Sequence, residues 1–324
     1  MADVITSIAT FEGVNEDLFI KPVFEDPAVT ALGIKVVVGN NPRLAYFNTN
    51  LDKKTIEKTD CAPTYQTGIA ITKKTITPVE FELSIEQCYK DFIGTLYGDS
   101  LPAGVARGEL TPEITNFLLN IHNSTFRNDM VRKLFLSNTA DTDTFYDSFN
   151  GVYTKLTGSS SPDAGGLSSG SITQANIEAT LNTIYAAQSD LLRAIPDSEK
   201  VLWVTGNIFD AWKRWMQINI ASFNNDRIIN GTPDAGVTYN GIKMVPLRFV
   251  DRALAADFVT SGLTDYAYRA ILTVPNNHQI VVDKSSFGDA KAWYSQDDNV
   301  YRISGTCMLA YEYGYDELNV IAGF

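Results

Sequence analysis

The chain is poor in the residues that carry chemistry. Its 324 residues include two histidines, His122 and His278, and three cysteines, Cys61, Cys88 and Cys307. Two imidazoles leave little for acid–base work or metal ligation, since histidine is the side chain that titrates near neutrality unaided. Three scattered cysteines lack the paired spacing of a zinc site and read as reduced thiols of a cytoplasmic product. Long apolar runs are missing too. Val36-Val37-Val38 is typical, so no segment is expected to span a bilayer as a helix. The opening Met1-Ala2-Asp3-Val4 has no basic stretch followed by an apolar one, and nothing in it marks the chain for secretion. A basic excess is absent, with 26 Lys and Arg against 38 Asp and Glu and a net charge of −12. That excludes a bulk basic footprint for gripping nucleic acid. No phosphate-cradling glycine loop, dinucleotide fingerprint or internal repeat occurs.

What is present favours packing and contact. Hydrophobic residues make up 44% and aromatics 11%, with 15 tyrosines. A chain of this length can bury a large core, as two modest domains or one with long excursions, and its aromatic content suits interfaces better than catalysis.

Residues 1 to 40 alternate weak strand signals with acidic turns and hold Pro22 and Pro27, which predicts an arm lying on something else. From 41 to 84 the order is strand, polar excursion, strand. Arg43 to Phe47 opens it, and Gly68 to Thr72 with Val79 to Leu83 closes it. The middle, Asn48 to Gln66, carries Lys53, Lys54 and Lys58 and is predicted to protrude as a long hairpin. Val79, Phe81 and Leu83 share one strand face, with Glu80, Glu82 and Ser84 on the other. Ser84 with Gln87 makes a capping-box pattern, predicting a helix with Ile85, Cys88, Tyr89, Phe92 and Leu96 on one face and Gly98 as its stop. Thr111 at the N-cap and Pro112 at the first helical position announce a longer helix. It should run to about Leu136, near 37 Å at ~1.5 Å per residue. Its apolar stripe rotates, from Ile114, Phe117, Leu118 and Ile121 to Leu119, Phe126, Met130 and Leu134. Such a helix is clasped by different neighbours at its two ends.

Thr157 to Gly170 is a Ser/Gly-rich loop. Ser171 and Gln174 form a second capping box before Ile177, Leu181, Ile184, Leu191 and Ile195, a helix ended by Pro196. Val201 to Val204 is wholly apolar and predicts a central strand. Asn207 is placed to cap the helix of Phe209, Trp212, Trp215 and Met216. Tyr239-Asn240-Gly241-Ile242 signals a tight turn into a strand. Ala270 to Val274 and Gln279 to Asp283 read as strands, and Tyr301 to Tyr315 alternates longest of all.

The motifs with chemical content are thin. Gly98-Asp99-Ser100-Leu101 looks like the nucleophile block of GDSL-type serine esterases, whose serine needs a general base from an Asp-x-x-His. Here Pro275 stands three residues before His278 and Leu119 before His122, so the partner pair is missing and a helix stop explains the block better. Asp141-Thr142-Asp143 starts like a calcium loop, but Phe145 sits where an oxygen ligand belongs. Glu80 and Glu82 fit a solvated face rather than a carboxylate pair. His122 reads as a packed or interface residue, His278 as a turn residue without a chemical role. Trp203, Trp212 and Trp215 read as core in preference to a sugar platform.

The order of pieces resembles the major capsid proteins of tailed phages, the Hong Kong phage-type fold shared with encapsulins. Phe149-Asn150-Gly151-Val152 looks like that family's turn after its long helix. Val201 to Thr205 leading into Asn207 to Trp215 looks like its central strand and helix. Tyr239-Asn240-Gly241-Ile242-Lys243-Met244-Val245-Pro246 is similar to its glycine-and-proline strand, with Met244 in place of an earlier proline. Ala270 to Val274 with Gln279 to Asp283 looks like its later pair of central strands, and Val300 to Gly323 like its closing strand. The resemblance implies an α+β fold with an N-terminal arm at 1–40, an extended hairpin loop at 41–80, a peripheral domain with the spine helix at 81–175 plus 285–324, and an axial domain at 176–284.

It also implies a structural protein, not an enzyme, forming pentamers and hexamers of an icosahedral head around double-stranded DNA. No catalytic, cofactor or metal residue is expected. The implied partners are other copies, portal, scaffold or decoration proteins, and packaged DNA held non-specifically, with no membrane. The implied location is the virion, after assembly in the host cytoplasm. Since the sequence begins close to its arm, scaffolding is expected as a separate protein or not at all. An encapsulin-like shell, a tail or baseplate protein and the esterase are the alternatives.

Overall fold

The computed structural model describes residues 30–39, 43–48, 70–88, 112–167, 172–219, 237–258, 264–283, 291–295, 297–298 and 300–324. In chain order these carry β1 (Lys35–Gly39), β2 (Arg43–Asn48), β3 (Ala70–Thr75), β4 (Val79–Cys88), α1 (Pro112–Leu136), α2 (Val152–Thr157), α3 (Ile177–Ala186) and α4 (Asp190–Arg193). There follow β5 (Val201–Val204), α5 (Gly206–Asn219), β6 (Thr238–Tyr239), β7 (Ile242–Pro246), α6 (Arg248–Asp257), β8 (Ala270–Thr273), β9 (His278–Asp283), β10 (Lys291–Ser295), β11 (Val300–Tyr313) and β12 (Asn319–Ala322). The fold class is α+β.

β11 organises the first five-stranded sheet. It pairs antiparallel with β4 along 300–309, with β10 along 300–304 and with β9 along 309–313, while β1 joins β9 in parallel. Its alternation comes through: Tyr301, Ile303, Cys307, Leu309, Tyr311 and Tyr313 are buried and Arg302, Ser304, Thr306 and Glu312 less so. β4 alternates likewise and does not stop at Ser84. The helix expected from the Ser84–Gln87 capping box is replaced by strand up to Cys88, each residue in register with β11 from Ser84↔Ser304 to Cys88↔Val300. Cross-strand pairing of ten residues outweighs one local capping pattern. Tyr89, Phe92, Leu96 and Gly98 lie outside the described residues.

The long helix α1 starts at Pro112 and spans 25 residues, as its signals predict. Its second stripe is buried, with Leu119, Phe126, Met130 and Leu134 all under 9% exposed. Ile121, of the first stripe, is 37% exposed. Gly151 follows closely: a Cβ there would sit 2.7 Å from the Leu134 carbonyl oxygen, so only glycine lets α2 lie against the end of α1.

The second sheet runs β12-β8-β5-β7-β6 with β5 in the middle. All four residues of β5 are buried, but toward different cores. Val201 and Trp203 pack with α1, α2 and α6, whereas Leu202 and Val204 pack with α3 and α5. A continuous apolar run is what burial on both faces requires. Asn240 (φ 48°) and Gly241 (φ 82°) make the two-residue turn between β6 and β7, both in the left-handed region a hairpin of this type needs.

Several expectations give way. α3 begins at Ile177 behind Asn176, not at Ser171 (outside the described residues), and it ends at Ala186 instead of reaching Ile195. Ser189 interrupts it by accepting the Leu192 N–H at 3.0 Å and starting α4. The phase shift buries Leu192 and leaves Leu191 46% exposed. Asn207 does not cap α5, which starts at Gly206; its side chain donates to the Ala267 carbonyl instead, at 3.2 Å. β8 and β9, read as a pair of central strands, lie in different sheets, and the run 300–323 is two strands, β11 in the first sheet and β12 in the second. Within residues 1–40 the segment Lys35–Gly39 is a strand of the first sheet. α2, α6 and β10 have no counterpart in the sequence reading.

β2 and β3 form the stem of the expected hairpin, in register from Arg43↔Thr75 to Asn48↔Ala70. Among the described residues they pair only with each other. Lys53, Lys54, Lys58 and Cys61 lie outside the described residues.

Candidate functional site

Both histidines are spent inside the molecule. His122 on α1 is fully buried, with Nε2 3.2 Å from the Leu83 carbonyl oxygen, which ties the long helix to β4. His278 is no turn residue. It opens β9, 1% exposed, where the two sheets meet. Its Nε2 lies 3.0 Å from Asn319 Oδ1 and 3.1 Å from Thr273 Oγ1 in the second sheet, and its Nδ1 lies 2.6 Å from the Tyr311 hydroxyl in the first. An amide oxygen can only accept, so Nε2 carries the ring hydrogen and Nδ1 accepts from Tyr311. Asn319 Oδ1 also accepts from Thr273 Oγ1 at 2.8 Å and Asn277 Nδ2 at 3.0 Å. Trp203 packs on the ring at 4.5 Å and donates from Nε1 to the Leu32 carbonyl at 3.0 Å. Burial drives the His278 pKa down to about 3, so the ring is neutral and serves as a bracket between sheets rather than as a proton carrier.

The remaining chemical candidates resolve in the same direction. Gly98 to Leu101 lie outside the described residues. In the 141–145 turn, Asp141 Oδ1 accepts the Asp143 N–H at 3.0 Å and Asp143 Oδ1 accepts the Phe145 N–H at 2.9 Å, so these carboxylates brace their own loop. Among the described residues no three His, Cys, Asp or Glu side chains gather as a metal would need, and no helix is long and apolar enough to cross a membrane. Trp203 and Trp212 are core residues, and Trp215 stacks on Trp212 at 4.7 Å. Cys307 is buried, its thiol pushed up to about 12 by desolvation, while Cys88 is exposed; both are free thiols. A depression lined by Tyr185, Gln188, Arg193, Asp197 and Lys200 offers no free ammonium. Lys200 is 2% exposed and donates to Asp197 at 2.6 Å and Gln188 at 2.8 Å.

The surface is more informative. On the first sheet, Glu80, Glu82, Ser84, Glu86 and Cys88 of β4 all face solvent. Arg302 beside them is bound to Glu86 at 2.8 Å and Asp298 at 2.6 Å. Ser84 donates to Glu82 at 2.6 Å and lies 2.9 Å from the Ser304 hydroxyl. The result is an exposed strand face with excess negative charge, close in the chain to a hairpin stem joined to no other strand among the described residues.

By sequence, no known protein family and no curated protein matches the chain. By structure the agreement is nearly end to end. A chain of the satellite phage P4 procapsid that includes the size determination protein (Sid) superposes with a TM-score of 0.60 at 10% identity, over 94% of this chain and 89% of that one. Gordonia phage Cozz gives a TM-score of 0.56 at 11% identity, over 91% and 85%. The capsid of the native GTA particle gives 0.53 at 13% identity, over 99% and 95%. The fold is that of the tailed-phage major capsid proteins. The chain has this Hong Kong phage-type capsid fold, as its order of elements implied.

Proposed function

We propose that the protein is the structural subunit of a phage-type shell and builds that shell from many copies of itself. The observation that carries this reading is the agreement of fold over more than 90% of this chain with a chain of the P4 procapsid, a capsid-family particle. Two features of the molecule support it. An isolated two-stranded hairpin is marginal in water and needs something to lie on, and the β2–β3 stem has no strand neighbour in its own described chain. Both histidines are locked into the core, which leaves the esterase reading without a general base. On this reading the copies form rings of five and six that close into an icosahedral head of a virion, and the likeness in fold supports it. A net charge of −12 suits a wall that must let packaged DNA slide.

Light scattering and electron microscopy of the purified full chain test the reading. Rings or closed particles are expected across a range of concentration and salt. A monomer under every condition overturns it.

A further inference from the structure

β5 and β7 are parallel neighbours in the second sheet, and the helices that follow them leave on opposite faces. α5 packs Ile208, Phe209, Trp212 and Met216 into one core; α6 sends Val250 and Ala253, with Leu247 before it, into the other. Side chains of α6 join them at the carboxyl ends of the strands, and one of these is partly buried. Asp251 of α6 reaches across, and its Oδ2 accepts the Gly206 N–H at 2.8 Å, at the first turn of α5. Its Oδ1 is buried and has no hydrogen-bond partner among the described residues. Gly206 leaves room for nothing more: a Cβ there would collide with Asp251 Oδ2 and come within 2.8 Å of Arg248 Nη1.

The charged groups around this carboxyl come from each packed element. Arg248 of α6 turns a two-pronged bond to Asp210 of α5, at 2.9 and 2.6 Å, and Asp210 itself repels a second carboxylate. Tyr153 of α2 feels the Asp251 charge and lies under the Arg269 guanidinium, 4.7 Å from its ring. At the far end of α6, Asp257 binds Arg132 of α1 at 3.2 Å and the Tyr146 hydroxyl at 2.5 Å, so α6 straps the long helix to α5.

We propose that Asp251 is a proton-operated joint between α5 and α6, which seat on each other most firmly once its carboxyl is protonated and loosen as it ionises toward neutral pH. The inference stands on this cluster alone and does not depend on shell formation. Burial is the main cause of a pKa raised from 3.8 to about 6, opposed by the Gly206 N–H and Arg248 and reinforced by Asp210. Between those two values the folded chain holds a proton that the unfolded chain has lost. Stability at this joint therefore rises as pH falls through about 6 and levels off below 3.8. Ionised Asp251 at neutral pH is a buried charge accepting one hydrogen bond where it could accept several.

The test compares the full chain with Asp251→Asn, which keeps an acceptor for the Gly206 N–H and carries no charge. Thermal unfolding is followed from about pH 5 to about pH 8, a range that brackets the raised pKa of about 6. Relative to the variant, the folding equilibrium of the wild-type chain should weaken by about tenfold or more across that window. Amides of Gly206 to Phe209, corrected for their intrinsic rates, should exchange faster at the upper end in the wild-type chain only. Parallel unfolding profiles overturn the proposal. Should Asp251→Asn fail to fold, exchange in the wild-type chain decides: protection of these amides that grows in acid supports the joint, and flat protection overturns it.

Discussion

The sheet centred on β5 has core on both faces of its middle strands, whereas the sheet centred on β11 has its main core on one face and, on the other, a row of carboxylates along β4 beside a small apolar cluster of Ile76, Val281 and Ala310. In the first, β5, β8 and β12 are buried at every position. In the second, β4 alternates along its length and β11 from Tyr301 to Leu309. β5, β8 and β12, closed on both sides, have no face left to offer. The other sheet keeps the carboxylate row of β4 exposed and has the hairpin stem directly before it in the chain.

The contrast breaks most sharply at Trp203. It stands in the closed sheet 1% exposed, touches His278 and holds Leu32 through its indole N–H. Trp203→Ala should cost about 3–5 kcal/mol in chemical denaturation. A loss below about 1 kcal/mol would show that the two cores collapse around the gap and are not separately packed. A smaller effect belongs to the edge of the same sheet. A Cβ at Gly241 meets no atom within 4 Å, so Gly241→Val acts through its positive φ alone and should cost ~1–2 kcal/mol. Gly241→Asn should be tolerated much better, and equal melting temperatures would remove the turn from the argument.

At the hairpin stem stability should hardly change. Replacing residues 49 to 69 by Asn-Gly joins Asn48 to Ala70, which already face each other, through a turn that suits them. Subunit stability should move by ~1 kcal/mol or less, while shell closure fails. Circular dichroism and microscopy on one preparation check this. Intact shells from the shortened chain would take the contact role away from the hairpin, and an unfolded chain would return it to the core.

What was legible in the sequence was whatever a residue and its near neighbours decide. The alternation of β4 and β11, the start of α1 at Pro112, the apolar run of β5 and the Asn240-Gly241 turn all have their causes within a few residues. The failures share the opposite property. Ser84 and Gln87 look like a helix start, but their partners in β11 are some 220 residues away. The cap of α5 comes from Asp251, 45 residues on, and no local pattern names it. His278 was read as idle because Tyr311, Thr273 and Asn319 gather around it only in the folded chain. The break between α3 and α4 is the exception: Ser189 followed three residues later by a buried leucine was there to be read.

The pairing of β4 with β11 also sets a clock. Ser84 cannot meet Ser304 until the 220 residues that separate them have been translated, which takes roughly 10–40 s at ribosomal speeds of about 5–20 residues per second. For all that time β4 has no partner strand, and its glutamates form no ordered face. A chain cut short before β11 therefore presents neither the completed first sheet nor its acidic face.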